Sequence, residues 1–241
     1  MLGWTRLSRT SKDFSGKSGA AILIFPGFEA LLDMTISRLY PIVDEGLIES
    51  RGVALGRVAE ELRAAGVGLV QYRNKIGGPQ SILRDSAMIW EVFAGSGCRL
   101  ILNDRADLVV LADFDGVHVG QGDLSPEDAR RVVGAGRWVG VSTHNEEQVR
   151  IADATSADYV AVGPVFATGT KLDAEPAIGL EGVRRARGLT KKPLVAIGGI
   201  TRANASSVIE AGADSVAVIS GLFVEGETVE KVARDFLEIL R

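Results

Sequence analysis

Residues 193–220 read PLVAIGGITRANASSVIEAGADSVAVIS, and this stretch decides the fold. It opens on a near-continuous apolar run, PLVAI (193–197), and breaks at two glycines. It then passes through a helix-like segment, TRANASSVIEAGA, and returns to a second apolar run, SVAVIS (215–220). Neither run alternates polar with apolar residues. That is the pattern of parallel strands covered by helices on both faces, rather than of a half-exposed antiparallel sheet.

The same alternation extends outward in the N-terminal direction. Further runs are LYPIV (39–43), GLVQYR (68–73), RLILN (99–103), GVHVG (116–120), WVGVS (138–142) and DYVAVG (158–163). Helix-like segments separate them: ALGRVAEELRAAG, SILRDSAMIWEVFAGSG, SPEDARRVVGAG and NEEQVRIADATSA, with VEGETVEKVARDFLEIL closing the chain. Ser125-Pro126-Glu127-Asp128 carries a helix start: a capping hydroxyl, proline at the first helical position and acid in the first turn. Gly66, Gly134 and Gly212 stand where helices should end. Eight strand–helix units predict a single α/β domain, a closed (β/α)8 TIM barrel. The competing arrangement is an open doubly wound sheet. It is disfavoured because no glycine-rich dinucleotide fingerprint follows the first strand.

The barrel is expected over 34–241, with residues 1–33 as a short, flexible N-terminal extension and Met34 as the natural start. Residues 20–32, AAILIFPGFEALL, form an apolar patch behind Arg6, Arg9, Lys12 and Lys17. Pro26 and Glu29 interrupt it, and no clean cleavage site follows, which argues against a signal peptide. Among 241 residues, 46% are hydrophobic and 27 basic side chains face 31 acidic ones, for a net charge of −4. This balance points to no nucleic-acid partner and no anionic membrane surface. The one cysteine, Cys98, precludes an intrachain disulfide and reads as a buried, inert thiol. A cytoplasmic protein is the expectation, and homo-oligomerisation stays open.

Chemistry in such barrels gathers at the C-terminal ends of the strands. Gln71 and Arg73 share one face of their strand, with Lys75 on the following loop, so the pair should stand at the mouth; Tyr72 faces the helices. The third strand runs into Asn103 and Asp104, and Asp123 follows the fourth. Two acids on adjacent loops can converge on a hard cation such as Mg²⁺, although each can equally cap a helix or begin a turn. Strand five ends at Ser142-Thr143-His144. The long loop after strand six offers Thr168, Thr170 and Lys171. Backbone amides at Gly198, Gly199, Ile219 and Ser220 can cradle a phosphate; the plainer reading is that the glycines only permit tight turns. His118 reads as a hydrogen-bonded structural residue. This inventory suggests two anionic ligands, a Mg²⁺-bound pyrophosphate and a phosphate monoester. It also suggests a reaction that needs no protein nucleophile, in which an activated pyrophosphate ionises.

The motifs QYRNK, LNDRADL, DGVHVGQGDL, GVSTH, GPVFATGTKLDA, AIGGIT and GADSVAVIS, in this order from about Leu39 to Ser220, resemble those of the thiamine-phosphate synthase (thiamine-phosphate pyrophosphorylase) family. The resemblance implies condensation of 4-amino-2-methyl-5-(diphosphooxymethyl)pyrimidine with a thiazole phosphate. The products are thiamine phosphate and pyrophosphate, formed by a dissociative mechanism with one Mg²⁺ per site. It implies pyrimidine-pyrophosphate binding by Gln71, Tyr72, Arg73, Asn74, Lys75, Asn103, Ser142 and Lys171. Of these, Arg73, Lys75, Ser142 and Lys171 would be catalytic. It implies Mg²⁺ ligation by Asp104 and Asp123, and thiazole-phosphate binding by Thr168, Gly169, Thr170, Gly199, Ile219 and Ser220. Three departures stand out: the extension, Asn74 where the family often has an acid, and the glycine-rich loop Ile76-Gly77-Gly78-Pro79 that follows. The alternatives are a thiazole tautomerase-like barrel and a non-catalytic phosphate-ligand sensor, and the retained acids and cations argue against both.

Overall fold

The computed structural model describes residues 35–169 and 175–241. Thr170, Lys171 and the N-terminal extension lie outside the described residues. Thr35–Arg241 forms a compact unit. Its strands are β1 (Leu39–Asp44), β2 (Leu69–Arg73), β3 (Arg99–Asn103), β4 (Gly116–Val119), β5 (Trp138–Thr143), β6 (Tyr159–Val162), β7 (Leu194–Ile197) and β8 (Ser215–Val218). They pair in sequence order, all parallel, and β8 pairs back onto β1, closing the barrel. The apolar runs are these strands: β3 matches its run, β1 and β5 extend one residue further to Asp44 and Thr143, and the others are shorter by one or two residues.

The helices are α1 (Glu45–Ser50), α2 (Leu55–Ala65), α3 (Pro79–Phe93), α4 (Ala106–Val109), α5 (Pro126–Val133), α6 (Glu146–Asp153), α7 (Gly179–Arg187), α8 (Ala205–Glu210) and α9 (Val229–Ile239). α5 begins as its sequence demands: the Ser125 hydroxyl accepts from the Asp128 amide at 3.1 Å. Gly66 ends α2 in the left-handed conformation, at φ 82°. α1 has no counterpart among the expected segments; Asp44 caps it, accepting from the Leu47 amide at 2.9 Å. α4 is a single turn, and Asp104 does not cap it.

Side-chain alternation divides the strands into two sets. Val43, Val70, Tyr72, Leu102, Val117, Val141, Val162, Ala196 and Val218 face outward and join the helices in one continuous core. Each fully buried aliphatic side chain there contributes about 1.5–3 kcal/mol. Tyr40, Ile42, Leu69, Ile101, Trp138, Tyr159 and Val195 are buried on the other face, inside the barrel. The Tyr159 ring fits there because the residue it pairs with is a glycine. A Cβ on Gly140, which pairs with Tyr159, would lie 2.0 Å from that ring, and one on Gly116 would lie 2.5 Å from the Trp138 carbonyl oxygen. No helix among the described residues is long and apolar enough to cross a membrane. Cys98 is half-buried rather than buried as expected, and desolvation, with Asp115 nearby, pushes its thiol up to about 12.

Candidate active site

The strand ends open onto a cavity of about 440 Å³. Of the residues expected there, Arg73, Lys75, Ser142, Thr168, Gly199, Ile219 and Ser220 line it. They come from β2, β5 and the loops after β6, β7 and β8, so residues far apart in sequence meet at one mouth. Arg73 is held by Asp44: the two stand opposite each other in the β1–β2 register, and Nη1 donates to Oδ2.

Asp104 and Asp123 lie together at one side of this mouth. Asp104 adopts a left-handed backbone, φ 61°, uncommon outside glycine, and its amide donates to the His118 carbonyl at 2.7 Å. That turn brings its carboxylate against Lys75, whose Nζ pairs with Oδ2. Asp123 Oδ2 accepts from the Gly120 amide at 2.8 Å. The two carboxyl groups are near enough to shift each other's titration in opposite directions. Burial, reinforced by the neighbouring Asp123, raises the Asp104 pKa. Burial acts the same way on Asp123, but the hydrogen bonds from Asp104 and Gly120 and the nearby cations outweigh it and hold that pKa low. Beside them, Asn103 Nδ2 is buried without a hydrogen-bond partner.

Two carboxylates on adjacent loops at one side of the mouth suit a divalent cation. Mg²⁺ commonly takes one or two carboxylates and completes its shell with water and substrate phosphate oxygens. Among the described residues no group of three or more His, Cys, Asp or Glu side chains could hold a metal.

Gly198 and Gly199, with φ 103° and 65°, carry the loop after β7 against the loop after β6. A Cβ on Gly199 would sit 2.7 Å from the Ala167 carbonyl oxygen, and one on Gly198 2.5 Å from the Pro164 ring. These glycines therefore do more than permit a turn; they allow two loops to meet at the cavity wall. On the other flank, Ser220 opens a short 3-10 turn, Ser220–Leu222, which ends β8 earlier than its apolar run does.

Some expected residues are placed elsewhere. Gln71 lies below the mouth, 2% exposed, and donates to the Tyr40 hydroxyl at 2.9 Å. Tyr72 faces the helices and donates to Asp85 of α3 at 2.8 Å, so it does not line the cavity. Asn74 bends back onto its own loop, accepting from the Ile76 and Gly77 amides and donating to the Tyr72 hydroxyl at 3.0 Å. Gly169 is described but does not line the cavity. Sequence reasoning passed over Asp44 and over Gln121, which lines the cavity and donates to the Ser142 carbonyl at 2.7 Å. Asp44 carried a signal: an acid ending the first apolar run, just as Arg73 ends the second.

The profile of the thiamine monophosphate synthase family matches residues 39–222. The thiamine-phosphate synthase of Koribacter versatilis is 51% identical over 209 residues, covering 86% of this chain and 97% of that protein. That of Chloroflexus aurantiacus is 43% identical over 197 residues, covering 82% and 89%. Among solved structures, thiamine phosphate pyrophosphorylase from Pyrococcus furiosus superposes with a TM-score of 0.74 at 30% identity, covering 84% of this chain and 95% of that one. With most of the barrel matched in sequence and in backbone, this chain belongs to the thiamine monophosphate synthase family.

Proposed function

We propose that this barrel joins 4-amino-2-methyl-5-(diphosphooxymethyl)pyrimidine to a thiazole phosphate, releasing pyrophosphate, with one Mg²⁺ held by Asp104 and Asp123. What supports the reading is the placing of Asp104 and Asp123 on adjacent βα loops, with Asp104 paired to Lys75, beside a cavity that Lys75 and Arg73 line. Acid and base stand together where a metal-bound diphosphate would be both held and drawn off.

The bond that breaks joins the pyrimidine's methylene carbon to the diphosphate oxygen, and both electrons leave with the diphosphate. The bond that forms joins that carbon to the thiazole nitrogen. A bound divalent ion would neutralise charge on the departing diphosphate. Arg73, fixed by Asp44, presents a rigid cation to the same group, and Lys75 adds a second. Lys171, assigned by the family pattern, would add a third. Ser142 and Asn103 orient the pyrimidine pyrophosphate. Thr168 and the backbone at Gly199, Ile219 and Ser220 seat the thiazole phosphate at the opposite wall, so that its nitrogen faces the carbon; Thr170 is assigned to the same phosphate by the family pattern alone. Residues 1–33 form an extension that the barrel does not need for this chemistry.

Purified protein incubated with both substrates and Mg²⁺ is expected to yield thiamine phosphate and pyrophosphate in equal amounts. Omitting either substrate or adding a chelator should abolish both products. Absence of thiamine phosphate in the complete mixture would overturn the reading.

A further inference from the structure

Inside the barrel a continuous chain of hydrogen bonds joins two of the expected substrate residues. Gln71 Nε2 lies 2.9 Å from the Tyr40 hydroxyl, which lies 3.0 Å from the Tyr159 hydroxyl. The Tyr159 hydroxyl lies 3.0 Å from His118 Nδ1, and His118 Nε2 lies 2.8 Å from Ser142 Oγ. The chain crosses five strands. Tyr40 and Tyr159 are fully buried, and the imidazole stacks on the Tyr159 ring with centroids 5.5 Å apart. Gly140 makes the crossing possible by leaving room for that ring.

Proton counting gives this chain a direction. An amide nitrogen only donates, so the Tyr40 oxygen accepts from Gln71, and its own proton is free to be given to Tyr159. The Tyr159 oxygen is then an acceptor, and its own proton goes to His118 Nδ1. Run in this direction, the chain leaves a neutral imidazole with its hydrogen on Nε2, which donates to Ser142 Oγ. Ser142 accepts at its oxygen, and its own proton is left to point elsewhere. Ser142 lines the cavity. Reversing the Gln71 amide would invert every link and turn Ser142 into a donor to histidine.

We propose that the Gln71–Tyr40–Tyr159–His118–Ser142 chain runs in this one direction and fixes Ser142 as a hydrogen-bond donor into the cavity, towards an acceptor atom of the pyrimidine pyrophosphate. Tyr40, Tyr159 and His118 are positioning residues that act through Ser142 without touching the substrate. Their effect is to commit the hydroxyl before the ligand arrives, so that binding a ring nitrogen or diphosphate oxygen needs no reorientation. The functional part of this proposal rests on the synthase reading above; the direction of the chain does not.

Two measurements test it. In protein carrying ¹⁵N-labelled histidine, long-range proton–nitrogen correlation spectra report which ring nitrogen of His118 bears hydrogen. The neutral Nε2–H form is expected, and hydrogen on Nδ1 alone would overturn the proposal, whether or not the protein turns over. For activity, Tyr159→Phe is expected to lower kcat/KM about tenfold, the scale on which groups orienting a site residue act. In a Ser142→Ala background the same change should cost less than about twofold, because its route is already cut. An undiminished tenfold loss in that background would show Tyr159 to be merely structural and would sink the proposal. If the wild-type protein makes no thiamine phosphate, the synthase reading falls and the spectra alone decide the chain. If Tyr159→Phe does not fold, Tyr40→Phe severs the same chain one link earlier.

Discussion

Arg73 and Asp44 face each other at the tops of neighbouring strands, and the aspartate serves two elements at once. Its Oδ2 accepts from Arg73, while its Oδ1 caps α1 by accepting from the Leu47 amide at 2.9 Å. The first βα loop is thereby tied to the cation that points into the cavity. Asp44→Asn keeps a capping oxygen and loses the charge; Asp44→Ala loses both. We expect Asp44→Asn to remain within about 0.5 kcal/mol of wild type in urea unfolding, and Asp44→Ala to lose about 1 kcal/mol more. Both should lower kcat/KM by about tenfold, since Arg73 is no longer held in place. Wild-type turnover in Asp44→Asn would show that Arg73 needs no such hold.

The paired acids give a second expectation. Asp104→Asn and Asp123→Asn each preserve shape while removing a charge. Each should reduce kcat by about 100-fold or more and raise the Mg²⁺ concentration needed for half-maximal rate. Initial rates across a Mg²⁺ titration check this. Unchanged half-saturation in both variants would remove the metal assignment.

The two loops that meet at Gly199 make a third. Gly199→Ala places a Cβ at φ 65° and 2.7 Å from a carbonyl oxygen, whereas Gly52→Ala, at φ 63°, meets nothing within 4 Å. Gly52→Ala should cost about 1 kcal/mol from backbone strain alone. Gly199→Ala should cost about 2–3 kcal/mol and also raise KM for the thiazole phosphate. Equal costs in denaturant melts would show that the loops separate freely.

Glu61 supplies a pH dependence away from the site. Its carboxylate accepts from Arg57 Nε at 2.8 Å and from the Val229 amide at 2.7 Å, joining α2 to the start of α9. Burial acts to raise its pKa, but these hydrogen bonds prevail and hold it below the usual 4.5. A carboxyl held low in the folded state stabilises above its unfolded value, and that contribution disappears as pH falls through the folded value. Glu61→Gln should therefore cost about 1 kcal/mol at neutral pH and lose less stability on acidification than wild type. Parallel acid limbs in the two proteins would contradict this.

The eight strands were legible because parallel strands covered on both faces are apolar at most positions, which leaves a short dense signature such as the LIL within RLILN, the run that β3 matches residue for residue. The rim residues were legible because polarity returns where a strand leaves that environment, as at Arg73 and Asn103. Gln71 misled for the same reason. A polar residue two before the strand end looks as though it belongs at the mouth, yet a buried Tyr40 hydroxyl 31 residues away satisfies it lower down. Tyr40 and Tyr159, 119 residues apart, gave no sign of their contact, because an aromatic residue in an apolar run reads as core. α1 escaped notice because six residues show too little periodicity to register.

Gly140 and Tyr159 occupy what is in effect one side chain's worth of room, contributed wholly by one of them. Enlarging residue 140 by a single methyl would force the phenol out of place, and trimming residue 159 would leave a hollow at the centre of the molecule. The two positions can therefore be exchanged only in concert, with bulk passed from one to the other. A variant library that randomises them singly should return the parental pair, whereas one that randomises them together can rebuild the space beneath the cavity floor.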